Sequence, residues 1–176
     1  LLNRPYDQVA FLVTHNAMSN RAEGWLFPNQ SFGLSRQLKD GVRGLMLDVH
    51  LVNGRPFLVH SKAFLGKRPL ADGLKEIGRF LKKSPRAVVT IIFESYVDGK
   101  LIRRAFQDAG LFDSLHHQRR NAAWPTLGQM VAAGRRLVVM TDRDGGKWPG
   151  YHDVWQHCWE THFSVKRVED FSFRRN

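Results

Sequence analysis

Four short apolar runs, each ending on a titratable or amide side chain, constrain this chain more than any other feature. The first, Val9-Ala10-Phe11-Leu12-Val13-Thr14, runs out into His15-Asn16. The second is Gly44-Leu45-Met46-Leu47-Asp48-Val49-His50, and the third, Pro56-Phe57-Leu58-Val59, ends on His60. The fourth, Val88-Val89-Thr90-Ile91-Ile92-Phe93, ends on Glu94. Runs this short, β-branched or aromatic and bounded by turn residues, predict strands near 9–14, 44–50, 56–60 and 87–94. A fifth strand is expected near 136–141 and a weaker one near 160–165.

Between the strands the apolar period changes to that of a helix. Leu70, Leu74, Ile77 and Leu81 share one helical face, and Lys82-Lys83 complement the negative end of that helix before Pro85 stops it. Asp98 is placed to cap a second helix with Ile102, Ala105, Phe106 and Ala109 inward. Thr126-Leu127-Gly128-Gln129 matches a capping box, and Ser31 to Lys39 makes a shorter helix around Leu34 and Leu38. Strands alternating with helices predict βα units and a parallel sheet or barrel. In such folds the carboxyl ends of the strands gather on one face, where catalytic groups collect.

The length of 176 residues, 43% of them hydrophobic, indicates one domain, residues 1–176, with a real core. The +11 net charge favours an anionic partner, with a solvated basic surface as the plainer reading. Basic residues are scattered in pairs such as Arg119-Arg120 and Arg135-Arg136, not gathered in a tail. One cysteine, Cys158, excludes an intrachain disulfide, and no run of 18 apolar residues spans a membrane. The chain opens Leu-Leu-Asn without a signal-like segment, as a mature or trimmed product does.

Strand alternation then sorts the polar residues. Met46, Asp48 and His50 share one face of their strand, and Thr90, Ile92 and Glu94 share one face of theirs. An Asp within an apolar strand is costly unless paired or metal-bound. Asp48, Glu94 and Asn16 make an all-oxygen set suited to a hard divalent cation, Ca²⁺ ahead of Mg²⁺. Two imidazoles, His15 and His60, at the same rim suit acid–base chemistry beside it. The plainer readings are rim histidines with structural partners and an Asp48 paired with Arg43 or Arg55. Arg43 is turned away from the Asp48 face and is expected to be a structural anchor. His152, His157, His162 and Cys158 do not line one helix face, because five-residue steps turn about 140°. His116-His117 is expected in a polar turn, and Trp124, Trp148, Trp155 and Trp159 in packing.

Thr14-His15-Asn16, Gly41-Val42-Arg43 leading into Leu47-Asp48, Val59-His60 and Ile92-Phe93-Glu94 together resemble the X-domain family of phosphatidylinositol-specific phospholipases C. The likeness is clearest from Tyr6 to Val97. It implies an irregular TIM (β/α)8-type barrel, here incomplete at the C-terminus because a closed barrel typically takes about 250 residues. It implies cleavage of the glycerol–phosphate bond of a phosphoinositide through internal attack of the inositol 2-hydroxyl, giving a cyclic phosphodiester. His15 and His60 fall on the two catalytic histidines, and Asn16, Asp48 and Glu94 on cation ligands of the metal-dependent branch. Met46 stands where that branch usually has a further carboxylate. The metal-free branch has arginine where this chain has Asp48.

A glycerophosphodiester phosphodiesterase or sphingomyelinase D-like enzyme is the nearby alternative. Those show His-Arg-Gly and Glu-x-Asp where this chain has His15-Asn16-Ala17 and Met46-Leu47-Asp48. A non-catalytic anionic-lipid- or nucleic-acid-binding module is a third reading; no nucleic-acid module is recognisable, so nucleic acid is not expected as a partner. The expected protein is a monomer, secreted or cell-surface associated, that works at a membrane surface. Trp25, Leu26 and Phe27 are the expected membrane contact, unless Trp25 and Phe27 pack beneath their own loop.

Overall fold

The computed structural model describes residues 1–158 and 164–171. Its frame is a mixed sheet built from β1 (Val13–Thr14), β2 (Gly44–Val52), β3 (Arg55–Leu58), β4 (Arg68–Pro69), β5 (Val89–Ser95), β6 (Leu137–Thr141) and β7 (Tyr151–Asp153). The order is β4-β3-β2-β5-β6-β7, and β1 pairs with the first residues of β2. Among the described residues the sheet does not close on itself.

The β2–β5–β6–β7 series is parallel, as alternation with helices predicts, but β2–β3 and β3–β4 are antiparallel. The expected parallel sheet thus holds for that series and gives way to antiparallel pairing at β3 and β4. Val52 pairs with Arg55 across Asn53 and Gly54, whose φ angles are +50° and +73°. Asn-Gly favours that doubly left-handed two-residue turn, which matches the twist of a hairpin. The consequence for the site is direct: β3 runs back along β2, and Val59 N–H donates to the Asp48 carbonyl at 3.1 Å. His60 is thereby set beside Asp48 instead of at the end of a separate parallel strand.

The first strand is shorter than expected. Tyr6–Gln8 forms a 3-10 turn, and Val9 and Phe11 pack with Tyr6 and Trp124 without entering the sheet. Pairing begins only where the Leu12 carbonyl accepts from Arg43 and Gly44 N–H, both at 3.0 Å. Gly44 permits that approach, since a Cβ there would lie 2.5 Å from Val13 Cγ2. The strand expected near 160–165 lies mostly outside the described residues, and Ser164 and Val165 are not strand. The short strands β4 and β7 carry too little sequence pattern to be anticipated.

Helices α1 (Leu34–Lys39), α2 (Leu70–Lys83), α3 (Gly99–Asp108), α4 (Leu127–Ala132) and α5 (Val154–His157) complete the frame. Leu70, Leu74, Ile77 and Leu81 of α2 are buried, with Ile102, Ala105 and Phe106 of α3, against Leu45, Leu47, Val49, Ile91 and Phe93. The Asp98 side chain caps α3 by accepting from Lys100 N–H at 2.8 Å, and Thr126 and Gln129 form the capping box of α4. Arg43 is an anchor: it donates to the Leu38 and Val42 carbonyls and lies over the Phe80 ring.

The opposite face of the sheet carries a second cluster, Tyr6, Val88, Leu127, Met130, Val138 and Met140. Met46, Asp48, Thr90, Ile92 and Glu94 point to this side, so alternation gives one covered face and one that carries the polar rim.

Candidate active site

Three separate strand ends converge on Asp48. Its side chain is buried on β2, 5% exposed, and its register partner on β5 is Glu94. His60, just beyond β3, places Nδ1 3.1 Å from Asp48 Oδ2. Asn16, after β1, completes the group. With its nitrogen toward Asp48, the Asn16 amide donates to Oδ1 and Oδ2 at 3.0 and 3.2 Å, and its oxygen accepts from His60 Nδ1 at 3.1 Å.

Burial raises the Asp48 carboxyl above its ordinary value; the hydrogen bond from His60 opposes this, and the neighbouring Glu94 charge reinforces it. Two carboxylates side by side, one of them desolvated, favour a positive group between them. The exposed His15 lies near enough for its charge to act on Asp48. Arg43 and Arg55, the alternative partners for Asp48, are not its hydrogen-bond or ion-pair partners.

The loop carrying His15 and Asn16 is held by groups that no motif announced. Asn16 itself has φ +48°, a conformation Asn tolerates better than most residues. Buried Gln37 of α1 accepts from the Thr14 hydroxyl at 2.7 Å and donates to the carbonyls of Ala17 and Phe32. Gln30 donates to the His15 carbonyl at 2.7 Å, and Ala17 N–H to the Met46 carbonyl at 2.9 Å. At the other side of the rim, the Tyr96 hydroxyl donates to Glu94 Oε1. That bond pushes the phenol up to about 12, since losing its proton would set two anions together. Tyr96 was within reach of the sequence, because it shares the face of Glu94 two residues on.

The donor chemistry suits a hard cation, with limits. Asn16, Asp48 and Glu94 supply oxygens, while Met46 on the same face supplies only a thioether. Among the described residues no group of three His, Cys, Asp or Glu side chains could hold a metal ion, so the set depends on the Asn16 amide.

The expected membrane contact is corrected in part. Trp25 is buried, 6% exposed, with its ring so close to Gly66 that a Cβ there would lie within 2.4 Å of it. It packs under the loop, whereas Leu26 and Phe27 project, 56% and 84% exposed. Leu26 N–H donates to the Leu65 carbonyl at 2.7 Å, joining this loop to the one that exposes Phe64 at 79%. Lys62 and Lys67 flank Phe64 and are exposed.

One further expectation changes. His116 is not in a polar turn: it is buried, its N–H bonds to the Leu137 carbonyl, and its ring stacks on Trp124. As expected, His152 and His157 do not line one helix face: they fall on β7 and α5, and their rings meet edge to face at 5.3 Å. Both nitrogens of His152 are engaged, Nδ1 with the Val139 carbonyl and Nε2 with Gln118 N–H. Trp124 and Trp148 pack as expected and Trp155 is exposed; Trp159 and His162 lie outside the described residues.

Comparison with known proteins sets this rim in context. A PI-PLC X family model matches residues 1–173. The chain belongs to the PI-PLC X family. A PI-PLC X domain-containing protein of Arabidopsis thaliana is 36% identical over 154 residues, covering 78% of this chain and 36% of its own length. An uncharacterized secreted protein of Arthroderma benhamiae is 31% identical over 170 residues, covering 92% of this chain and 38% of its own. The chain thus spans little more than a third of either relative. Among solved structures, the phosphatidylinositol-specific phospholipase C of Listeria monocytogenes superposes with a TM-score of 0.61 at 19% identity, over 80% of this chain and 53% of that one. A variant of the Staphylococcus aureus enzyme gives 0.64 at 16% identity, over 85% and 52%. The PI-PLC X fold is therefore shared with these enzymes, including an α/β frame with a mixed sheet.

Proposed function

We propose that this PI-PLC X domain cleaves phosphatidylinositol-type lipids to diacylglycerol and a cyclic inositol phosphate, with His15 and His60 exchanging protons beside a divalent cation. The observation that carries this reading is the meeting of His60, Asn16 and Glu94 around buried Asp48 at one rim.

In this reaction the inositol 2-hydroxyl oxygen bonds to phosphorus and the bond from phosphorus to the glycerol oxygen breaks. His15, exposed at the rim, takes the hydroxyl proton, and His60 delivers one to the departing oxygen. Asp48 Oδ2 holds His60 Nδ1, which sets the ring and leaves Nε2 as the atom that exchanges the proton. Asn16, Asp48 and Glu94 would hold the cation, which supplies charge neutralisation at the phosphoryl oxygens. Asp48 Oδ1, to which the Asn16 amide otherwise donates, would face the cation. Asn16 would offer the cation its amide oxygen, which requires the amide to turn from the orientation that donates to Asp48.

The test is release of cyclic inositol phosphate from phosphatidylinositol vesicles by the full-length protein, with and without chelator. Activity that disappears in chelator and returns with Ca²⁺ is the expected result. Full activity in excess chelator removes the cation, and no release under any condition removes the catalytic reading in favour of a non-catalytic lipid-binding module.

Access to the lipid is assigned to the paired loops of Leu26, Phe27 and Phe64 with Lys62 and Lys67, where apolar tips sit among basic side chains beside the rim. Phe27→Ser with Phe64→Ser should weaken binding to anionic vesicles at least about tenfold, since each buried aromatic contributes roughly 1.5–3 kcal/mol. Hydrolysis of a soluble cyclic inositol phosphate should be spared. Equal losses on both substrates would argue against docking. Action on a lipid surface and the secreted name of the Arthroderma benhamiae relative both support a secreted or cell-surface location.

A further inference from the structure

We propose that Tyr96 is a positioning residue for the cation site, holding Glu94 beside Asp48 through its hydroxyl while its own ring is held by His50. The inference rests on the cation reading above.

Glu94 is the weak point of the proposed ligand set. Asn16 and Asp48 are buried and hydrogen-bonded to one another, whereas Glu94 is exposed and has three rotatable side-chain bonds. A long carboxylate left free loses rotamer entropy whenever it binds. Tyr96 removes much of that freedom before any ligand arrives. Its hydroxyl donates to Glu94 Oε1, leaving Oε2 and the second lone pair of Oε1 for another partner.

The tyrosine is itself well fixed despite its exposure. Its N–H donates to the Val49 carbonyl at 2.9 Å. Its ring stacks on His50 with centroids 4.2 Å apart and planes 15° from parallel, and Arg143 lies 5.8 Å from its centroid. The arrangement follows from register: Asp48 faces Glu94, so His50 and Tyr96 are neighbours one pleat further along. The outer pair, His50 and Tyr96, therefore braces one member of the inner pair. Partners of metal ligands typically change metal affinity tenfold to a hundredfold when removed.

Ca²⁺ binding to the full-length protein, measured by titration calorimetry, tests this without relying on activity. Tyr96→Phe keeps the ring on His50 and removes only the hydroxyl, and it should weaken Ca²⁺ binding by about tenfold to a hundredfold with an unchanged melting temperature. His50→Ala should weaken it to a lesser extent by loosening the ring. Adding Tyr96→Phe to Glu94→Gln should cost no further affinity, because the hydroxyl acts through that carboxylate. Ca²⁺ binding in Tyr96→Phe as tight as in the parent, or tighter, overturns the positioning role while leaving the cation reading standing. If the parent binds no Ca²⁺, or Glu94→Gln binds it unchanged, the cation reading falls and the role of Tyr96 falls with it.

Discussion

His60→Ala should lower release of cyclic inositol phosphate at least about a hundredfold, and His15→Ala should do the same, the lower end for proton-transfer catalysis. The two losses have different surroundings. His15 is exposed and anchored through its backbone, so its removal should leave stability unchanged. His60 is bonded to Asp48, and removing it strips a buried carboxylate of one partner. A carboxylate so exposed to desolvation costs about 1–3 kcal/mol, which is read as a fall in melting temperature. Ca²⁺ binding measured on the His15 variant separates catalysis from cation binding, since His15 is outside the proposed ligand set, whereas His60 braces the ligand Asp48 and its removal should also weaken Ca²⁺ binding. Near-parental turnover in both variants of an active full-length protein would falsify the acid–base assignment.

The second large effect is on stability at acid pH. His152 is buried on β7 with Nδ1–H given to the Val139 carbonyl and Nε2 accepting from Gln118 N–H, a pattern only the neutral ring satisfies. Burial is the main cause that lowers its pKa from 6.5 to about 4, and the facing His157 and His116 add to it. Between those values the unfolded chain binds a proton that the folded chain refuses. Stability is therefore complete above pH 6.5 and falls as pH drops toward 4, by an amount on the order of 3 kcal/mol from this residue. His116, His117 and His157, all lowered by burial, act in the same direction. Urea melts at pH 7, 5.5 and 4.5 check the slope. His152→Gln keeps an amide donor and acceptor but cannot be protonated, so its slope over this range should be shallower. An unchanged slope in that variant would assign the acid lability elsewhere.

Much of this protein is legible without a structure because much of it is local. The α2 face, the Asp98 cap and the Thr126–Gln129 box depend on residues within a turn or two of each other, and each appears as its spacing requires. Alternation likewise put Asp48 with Met46 and His50, and Glu94 with Thr90 and Ile92, each on one face of its own strand, and the structure makes Asp48 and Glu94 direct register partners. The Asn53-Gly54 hairpin was also written locally, as a turn pair between two apolar runs, although helix–strand alternation argued for a parallel crossover.

What remained was decided at long range. No spacing rule places His60 against Asp48, because the contact depends on β3 folding back on β2. None shows that Gln37 of α1 would pin the His15 loop, or that Gly66 would leave room for the Trp25 ring and turn a surface residue into a core one. His152 and His157 meet because β7 leads into a one-turn helix, not through helical periodicity. The chain's own order determined the kinds of side chain offered at the strand ends. Only tertiary packing decided which of them touch, because burial, register and close approach are properties of segments far apart in sequence.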